Sequence, residues 1–406
     1  MASADPKVAE LSDEVADTAV LDRELEPSFL EQPLPLPVPE AAAQEQARPG
    51  RLLALDALRG LTIALMLLVN NVALDIYTPK QLTHAPWNGG VRVADFVFPW
   101  FLFCVGLAIP FSAASFRRKK LSAWHYDLKV VRRAAVLVLL GCLLDSSIAK
   151  RPLFTLGVLQ IIGLAYLVGA LLYDLPLCRR LIVAGGLLAA YWAILKFVPI
   201  PGVGAGVFLA TQNLVAYVNR IYLMGLHLAG LPSVIPTAAL VLIGTVIGDL
   251  VRSPEADHRR KLAWLLLGGL GLVVGGELWA LSVPLNKALW TPSFMLLSAG
   301  TGAIVLGFFY LLIDSNGWRA WSYPLLVFGS NAILAYVVPI LVKVLVLQVW
   351  QVSVGGRLVP MQQWFLDYCV NHSDRVVGGW LYTLGFILAW WLVLWQLYRR
   401  KVFFRV

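Results

Sequence analysis

The residues best suited to chemistry lie between Leu82 and Phe103, in the stretch LTHAPWNGGVRVADFVFPWFLF. A lone imidazole, His84, stands in a short polar loop, and a carboxylate, Asp95, follows at the head of an apolar run. Imidazole exchanges protons near neutrality, its unperturbed pKa being about 6.5. That is what taking a proton from an attacking amine or hydroxyl requires. A carboxylate beside the ring would orient it and stabilise its charged form. The plain alternatives are a solvated loop histidine and an interfacial aspartate reaching water. A Trp-Asn-Gly-Gly turn, Trp87 to Gly90, lies between the two, and Pro99 sits inside the following helix signal. Far downstream, Asn286 and Lys287 precede Trp290. A cation there can hold a developing oxyanion or an acidic substrate group, or it is a lysine snorkelling at an interface.

Other polar groups stand where apolar residues are the rule. Asn70 and Asn71 end the first apolar run, Asn331 lies in a late one, and Gln160 is a lone amide in between. Buried amides in a bundle usually bond between helices; the same groups can grip an amide or carbonyl of a ligand. Asp56 and Arg59, three apart, share a helix face and read first as an internal ion pair. Arg132 and Arg133 open another run and read first as topology determinants.

The elements that must position these groups are membrane helices. The 406 residues are 59% hydrophobic and 14% charged, with a mean hydropathy of +0.73, where ordinary soluble chains carry about 25% charged residues. Runs near 52–73, 93–113, 131–149, 154–173, 180–198, 234–251, 261–281, 290–313, 323–349 and 377–398 each approach the roughly 20 residues that cross a bilayer. The expected fold is all-α, a polytopic transmembrane helix bundle of about ten spans. Residues 1–50 hold Lys7, Arg23 and Arg48 against eleven acids and include LEQPLPLPVPEAAAQEQ. Such a segment buries too little apolar surface to offset its ordering entropy, so a disordered acidic, Pro-rich tail is expected over 1–50 and the membrane domain over 51–406. The tail has neither the basic start nor the apolar core of a signal peptide.

Loop charge sets the orientation. Arg117, Arg118, Lys119, Lys120, Arg259, Arg260 and Lys261 follow even-numbered runs, and Arg399, Arg400, Lys401 and Arg405 end the chain. The opposite loops carry fewer cations, among them Lys80, Arg220 and Lys287. Both termini are therefore expected in the cytoplasm, with His84, Lys150, Asn286, Lys287 and His372 outside. Basicity flanking apolar runs in this way is no nucleic-acid footprint. Cys104, Cys142, Cys178 and Cys369 are scattered without metal-ligand spacing. There is no Walker A loop and no G-x-G-x-x-G fingerprint.

The segment HAPWNGGVRVADFVFP resembles the heparan-alpha-glucosaminide N-acetyltransferase family. So do RLLALDALRGLTIALMLLVNN at Arg51 to Asn71, LGVLQIIGLAYLV at Leu156 to Val168, VPLNKALWTPSFMLLSAG at Val283 to Gly300, SNAILAYV at Ser330 to Val337, and the tail YRRKVFFRV. Each is weak alone; together they are specific and cover nearly all of the chain from Arg51. The resemblance implies a polytopic enzyme that takes acetyl from cytoplasmic acetyl-CoA, as co-substrate and without a metal, and passes it to an amino sugar on the other side. It implies His84 as catalytic histidine with Asp95 beside it. It implies acceptor contacts from Asn70, Trp87, Asn286, Lys287 and Trp290. It favours donor contacts from Gln160 and Asn331, and the sharper readings of Arg59, Arg132 and Arg133 add these cations as donor contacts. One departure stands out: where the family usually reads Y-I-D-R, this chain has Tyr-Val-Asn-Arg, so Asn219 replaces the acid. The likeness does not reach the family's long luminal N-terminal region, so heparan sulfate as acceptor does not carry over.

The function expected is a membrane-bound acetyltransferase acting on an extracytoplasmic amino sugar or glycan, with His84 as general base or acyl carrier. The alternative is a transporter of a small solute or sugar with His84 as a proton-coupling site; CoA-dependent activity separates the two. The expected partners are acetyl-CoA, the glycan and the bilayer, with a homodimer left open and no nucleic acid. The expected location is integral to a membrane, the plasma (inner) membrane in a bacterium.

Overall fold

A computed structural model describes residues 52–87, 89–119 and 122–404; the tail expected over 1–50 lies outside them. The chain is mostly helical. The main helices are α1 (Leu53–Asn71), α2 (Val93–Arg117), α3 (Ala123–Ala149), α4 (Val158–Leu171), α5 (Leu177–Phe197), α6 (Val234–Arg252), α7 (His258–Ala280) and α8 (Pro292–Phe309). Then come α9 (Tyr323–Ser330), α10 (Ala332–Val342), α11 (Met361–Asn371) and α12 (Arg375–Arg399). Among the described residues, seven helices are long and apolar enough to cross a membrane, and α9 with α10, a pair bent by 67° at Asn331, brings the number to eight if the two count as one broken span. The protein is thus a multi-pass helical membrane protein. Two of the ten runs read from sequence fall outside that criterion for separate reasons. Helix α3 carries Arg132, Arg133 and Asp145, and α4 has only 14 residues.

The bundle is ordered by burial. The apolar windows of α2 and of the α6 span are 67% and 72% buried, whereas those of α7 and α12 are 17% buried. Helices α2 and α6 therefore form the centre, and α7 and α12 turn their Leu and Trp side chains outward. Lipid tails are as apolar as Leu, so close packing rather than the hydrophobic effect must hold such helices together. Gly106 of α2 lies against the Val241 backbone of α6, and Gly244 of α6 against Phe103 of α2. Helices α1 and α9 approach through Gly60 and Gly329 in the same way. The N-terminus of α1 has no cap of its own; the Asp314 carboxylate accepts from Leu53 N (3.2 Å) and Ala54 N (2.8 Å). That satisfies two of the four donors a helix start leaves free.

The connections that matter gather on one face. Trp87 Nε1 donates to the Phe208 carbonyl (2.6 Å), and Asn286 Nδ2 donates to the Trp87 carbonyl (3.2 Å). Lys343 Nζ reaches the Asn70 carbonyl (3.2 Å), and Arg375 pairs with Asp75. The end of α1 and the starts of α2, α8 and α12 thus meet at one end of the bundle. A two-stranded antiparallel hairpin, β1 (Gln351–Val354) and β2 (Arg357–Pro360), precedes α11 on this face, a small exception to an all-α chain.

Candidate active site

Asp95 organises the site. It occupies the third position of α2, where a carboxylate can fold back onto the residue before the helix. Its Oδ2 accepts from Arg92 N (3.0 Å) and from Ala85 N (3.1 Å), and its Oδ1 meets His84 Nδ1 at 3.0 Å. Only 3% of its side chain is exposed, against 55% for His84. One carboxylate therefore caps a helix, holds the loop carrying His84 and binds the ring. Pro99, four residues on, has no N–H, so the Asp95 carbonyl lacks the i+4 bond of a regular helix.

With Nδ1 donating to Asp95, the lone pair of Nε2 is the basic position of His84. Lys287 comes from the loop between α7 and α8, and its Nζ lies 3.0 Å from His84 Nδ1, 3.3 Å from Nε2 and 3.7 Å from Asp95 Oδ1. Burial pushes its ammonium below the usual lysine range, and Asp95 pulls it partly back. A carboxylate, an imidazole and an ammonium thus share one point, brought from the α1–α2 and α7–α8 loops.

A cavity of about 310 Å³ opens there, lined by His84, Trp87, Asp95, Asn286, Lys287 and Trp290 among others. Trp290 stands edge-on to Phe98, with ring centroids 5.2 Å apart, and its backbone adopts φ 52°. A bulky residue held in the left-handed region stores strain, which is common at ligand sites. Asn286 is buried; its Oδ1 accepts from Leu289 N (3.0 Å) while its Nδ2 holds Trp87. That side chain ties the two loops together.

Other residues singled out from sequence lie elsewhere. Asn70 is exposed at the end of α1 and does not line this cavity. Arg59 pairs with Asp56 (2.9 Å) and donates to the Gly329 carbonyl (2.8 Å), one of the backbone groups left by the break before α10. Asn331, at that break, gives Nδ2 to the Val402 carbonyl (3.0 Å) and accepts from Phe404 N (2.8 Å). Its amide clasps the C-terminal segment. Gln160 is fully buried; its Nε2 donates to Asp145 (2.8 Å) and its Oε1 has no partner. Arg132 is exposed, and Arg133 stacks 4.7 Å over the Tyr166 ring. Asn219 accepts from Gly230 N (3.0 Å), a loop-ordering bond.

Sequence reasoning passed over Arg92. Its Nη1 donates to Thr83 Oγ1 (2.6 Å) and approaches the His84 carbonyl (3.3 Å), while Gln81 Oε1 accepts from Val93 N (3.0 Å). These bonds staple the His84 loop to the start of α2. A cation immediately before a helix at a membrane surface was the available signal.

Fold and site together define a multi-pass membrane protein with a His–Asp–Lys cluster in an open cavity at one membrane face. The sequence profile of the heparan-alpha-glucosaminide N-acetyltransferase catalytic family matches residues 51–271, and the chain belongs to that family. Human heparan-alpha-glucosaminide N-acetyltransferase is 26% identical over 444 residues, covering 92% of this chain and 63% of the human one. The mouse protein of that name is 25% identical, covering 88% and 61%. The chain thus spans about three fifths of the length of these relatives.

Proposed function

We propose that the protein transfers an acetyl group from acetyl-CoA to an amine, or another nucleophile, of a sugar or glycan at the His84 face. The observation that carries this reading is the convergence of His84, Asp95 and Lys287 in one cavity between two tryptophans. In the reaction, His84 Nε2 takes the proton of the attacking acceptor. Asp95 holds the ring and supports the imidazolium. Lys287 leaves Nε2 and meets the oxyanion that develops on the thioester carbonyl. The bond to sulfur breaks, the imidazolium returns its proton to the CoA thiolate, and the acetyl group stays on the acceptor. Trp87 and Trp290 offer flat walls for a sugar ring.

The donor reaches this point from the opposite, cation-rich face, which is cytoplasmic by the positive-inside rule; both termini lie there and His84 lies outside. Support for a path comes from a slot of about 10 Å³ between α1, α2, α4 and α10, lined by Met66, Phe101, Ile162 and Tyr336 among others. It is closed to all but a water-sized group, so entry of a pantetheine arm requires α10 to shift about the break at Asn331. Arg59 of α1 and Gln160 of α4 lie on helices flanking that path, Arg133 lies on the neighbouring α3, and these three are the donor contacts of this reading. The test is transfer from radiolabelled acetyl-CoA to a panel of amino sugars by purified protein, compared with His84→Ala. Transfer lost in the variant while acetyl-CoA still raises its melting temperature supports the reading. Wild-type protein that neither binds acetyl-CoA nor transfers acetyl sinks it and favours a transporter.

A further inference from the structure

Lys287 stands where an acceptor amine has to stand. A general base takes a proton from a group within hydrogen-bond reach, and Lys287 Nζ lies 3.3 Å from His84 Nε2. Among the lysines of the described residues, Lys287 alone lines the His84 cavity. Lys80 and Lys150 are exposed outside it, and Lys343 gives its Nζ to the Asn70 carbonyl (3.2 Å) and to Asn71 Oδ1 (3.0 Å). The Lys287 side chain is 26% exposed, so the cavity reaches it. Burial draws its ammonium below the usual lysine range, and a lysine desolvated in this way carries more of the free amine that attacks carbonyls. The imidazole beside it is backed by Asp95, whose Oδ1 meets His84 Nδ1 at 3.0 Å. The ring can therefore accept the proton that an attacking nitrogen sheds. The pair that serves an acceptor sugar serves Lys287 as well whenever no acceptor stands between them.

We propose that Lys287 is a self-acetylation site: with acetyl-CoA bound and no acceptor present, the acetyl group passes to Lys287 Nζ. The proposal rests on the acetyltransferase reading. The ammonium first loses one proton to water. The neutral nitrogen then attacks the thioester carbonyl, the C–N bond forms and the C–S bond breaks. The second proton passes through His84 Nε2 to the CoA thiolate. The products are Nε-acetyl-lysine and CoA, and no further reactant is needed. While Lys287 is the nucleophile it cannot meet the oxyanion, so this step is slower than transfer to a sugar. It is a gradual loss, not a competing turnover. The amide formed carries no charge, so the modified protein lacks its oxyanion cation and turns over about 10²–10³-fold more slowly. A sugar seated at Nε2 displaces Lys287 and protects it. Donor without acceptor thus silences the site.

The test incubates the purified full chain with deuterated acetyl-CoA and no sugar, and reads the label on each lysine by peptide mass spectrometry. Lys80 and Lys150 report uncatalysed acetylation. Lys287 should label about 10²-fold or more faster than either, the scale of general-base help. His84→Ala and His84→Gln should each bring Lys287 within about threefold of those two, far below that scale. Melting temperatures report that both variants are folded. Wild-type Lys287 labelled no faster than Lys80 overturns the proposal, as does fast labelling that persists in both His84 variants. If amino sugars of the panel accept acetyl while Lys287 stays unlabelled, the proposal falls and the acetyltransferase reading stands. If acetyl-CoA neither binds nor donates acetyl to any sugar, that reading falls and the proposal falls with it.

Discussion

At the scale of single residues, roles separate by what each group can lose. His84 is mostly exposed and fills no core space, so His84→Ala should leave the melting temperature and acetyl-CoA binding nearly unchanged. Turnover should fall about 10²–10⁴-fold, the usual cost of removing a general base. Transfer per folded molecule within about threefold of wild type, far short of that range, would remove His84 from the chemistry. Lys287 behaves differently because its charge is held against burial. The folded chain gives up the Lys287 proton below the usual value of 10.5, whereas the unfolded chain keeps it until then. Between the lowered value and 10.5 the unfolded state binds more protons, so stability rises with pH there. Lys287→Met should abolish that alkaline rise, be no less stable at neutral pH, and lose about 10²–10³-fold in rate, as for an oxyanion-hole donor. Melting curves recorded from neutral pH to the lysine range, alongside transfer assays, check all three. Wild-type and variant stabilities that run parallel with pH would assign the rise to other groups.

Between elements, the break at Asn331 is the feature with the most consequence. It divides one apolar run into α9 and α10, and the freed polar groups are taken up by Arg59 and by the C-terminal segment. Asn331→Ala removes both bonds to residues 402–404. Hydrogen exchange at Phe404 and trimming of the C-terminus by carboxypeptidase should both speed up, while the α7–α8 contact stays protected. Unchanged exchange at Phe404 would mean that other contacts hold the tail. Gly60 fits for a different reason. A methyl group there would overlap the Leu325 carbonyl, so α1 and α9 would have to separate. Gly60→Ala should cost about 1–3 kcal/mol, as overpacking does, read as a lower melting temperature in detergent.

For the whole molecule, sidedness is the decisive property. The His84, Lys287 and His372 segments share one face, and the loops with Lys119 and Arg260 share the other. Single cysteines beside Lys119 and Arg260 should label from the cytoplasm with an impermeant maleimide, and cysteines beside His84 and His372 only from outside. Labelling at His84 from the cytoplasm would place base and donor on one side and remove the reason for passing acetyl through the bundle.

Composition and apolar runs by themselves determined the helical membrane class, because a bilayer admits few other ways to satisfy a backbone. Motif wording marked His84, Asp95, Asn286 and Lys287 while they were still far apart in the chain. What the sequence left open turned on proximity. Asp95 read as an interfacial carboxylate reaching water or as a partner for His84; the fold buries it against the ring and also makes it a cap, since the loop folds back over the first turn of α2. Lys287 lies 203 positions beyond His84, and only the packing of α8 beside α1 and α2 puts its ammonium on the imidazole. Asn331 read either as an interhelical bond or as a ligand contact, and in the fold its amide bonds the C-terminal segment that returns to the break. Arg92 carried no motif, and its role appears only when the loop it staples is in place. Local pattern reports what each residue would cost in a bilayer; which polar groups share that cost with one another is decided by the three-dimensional arrangement of the helices.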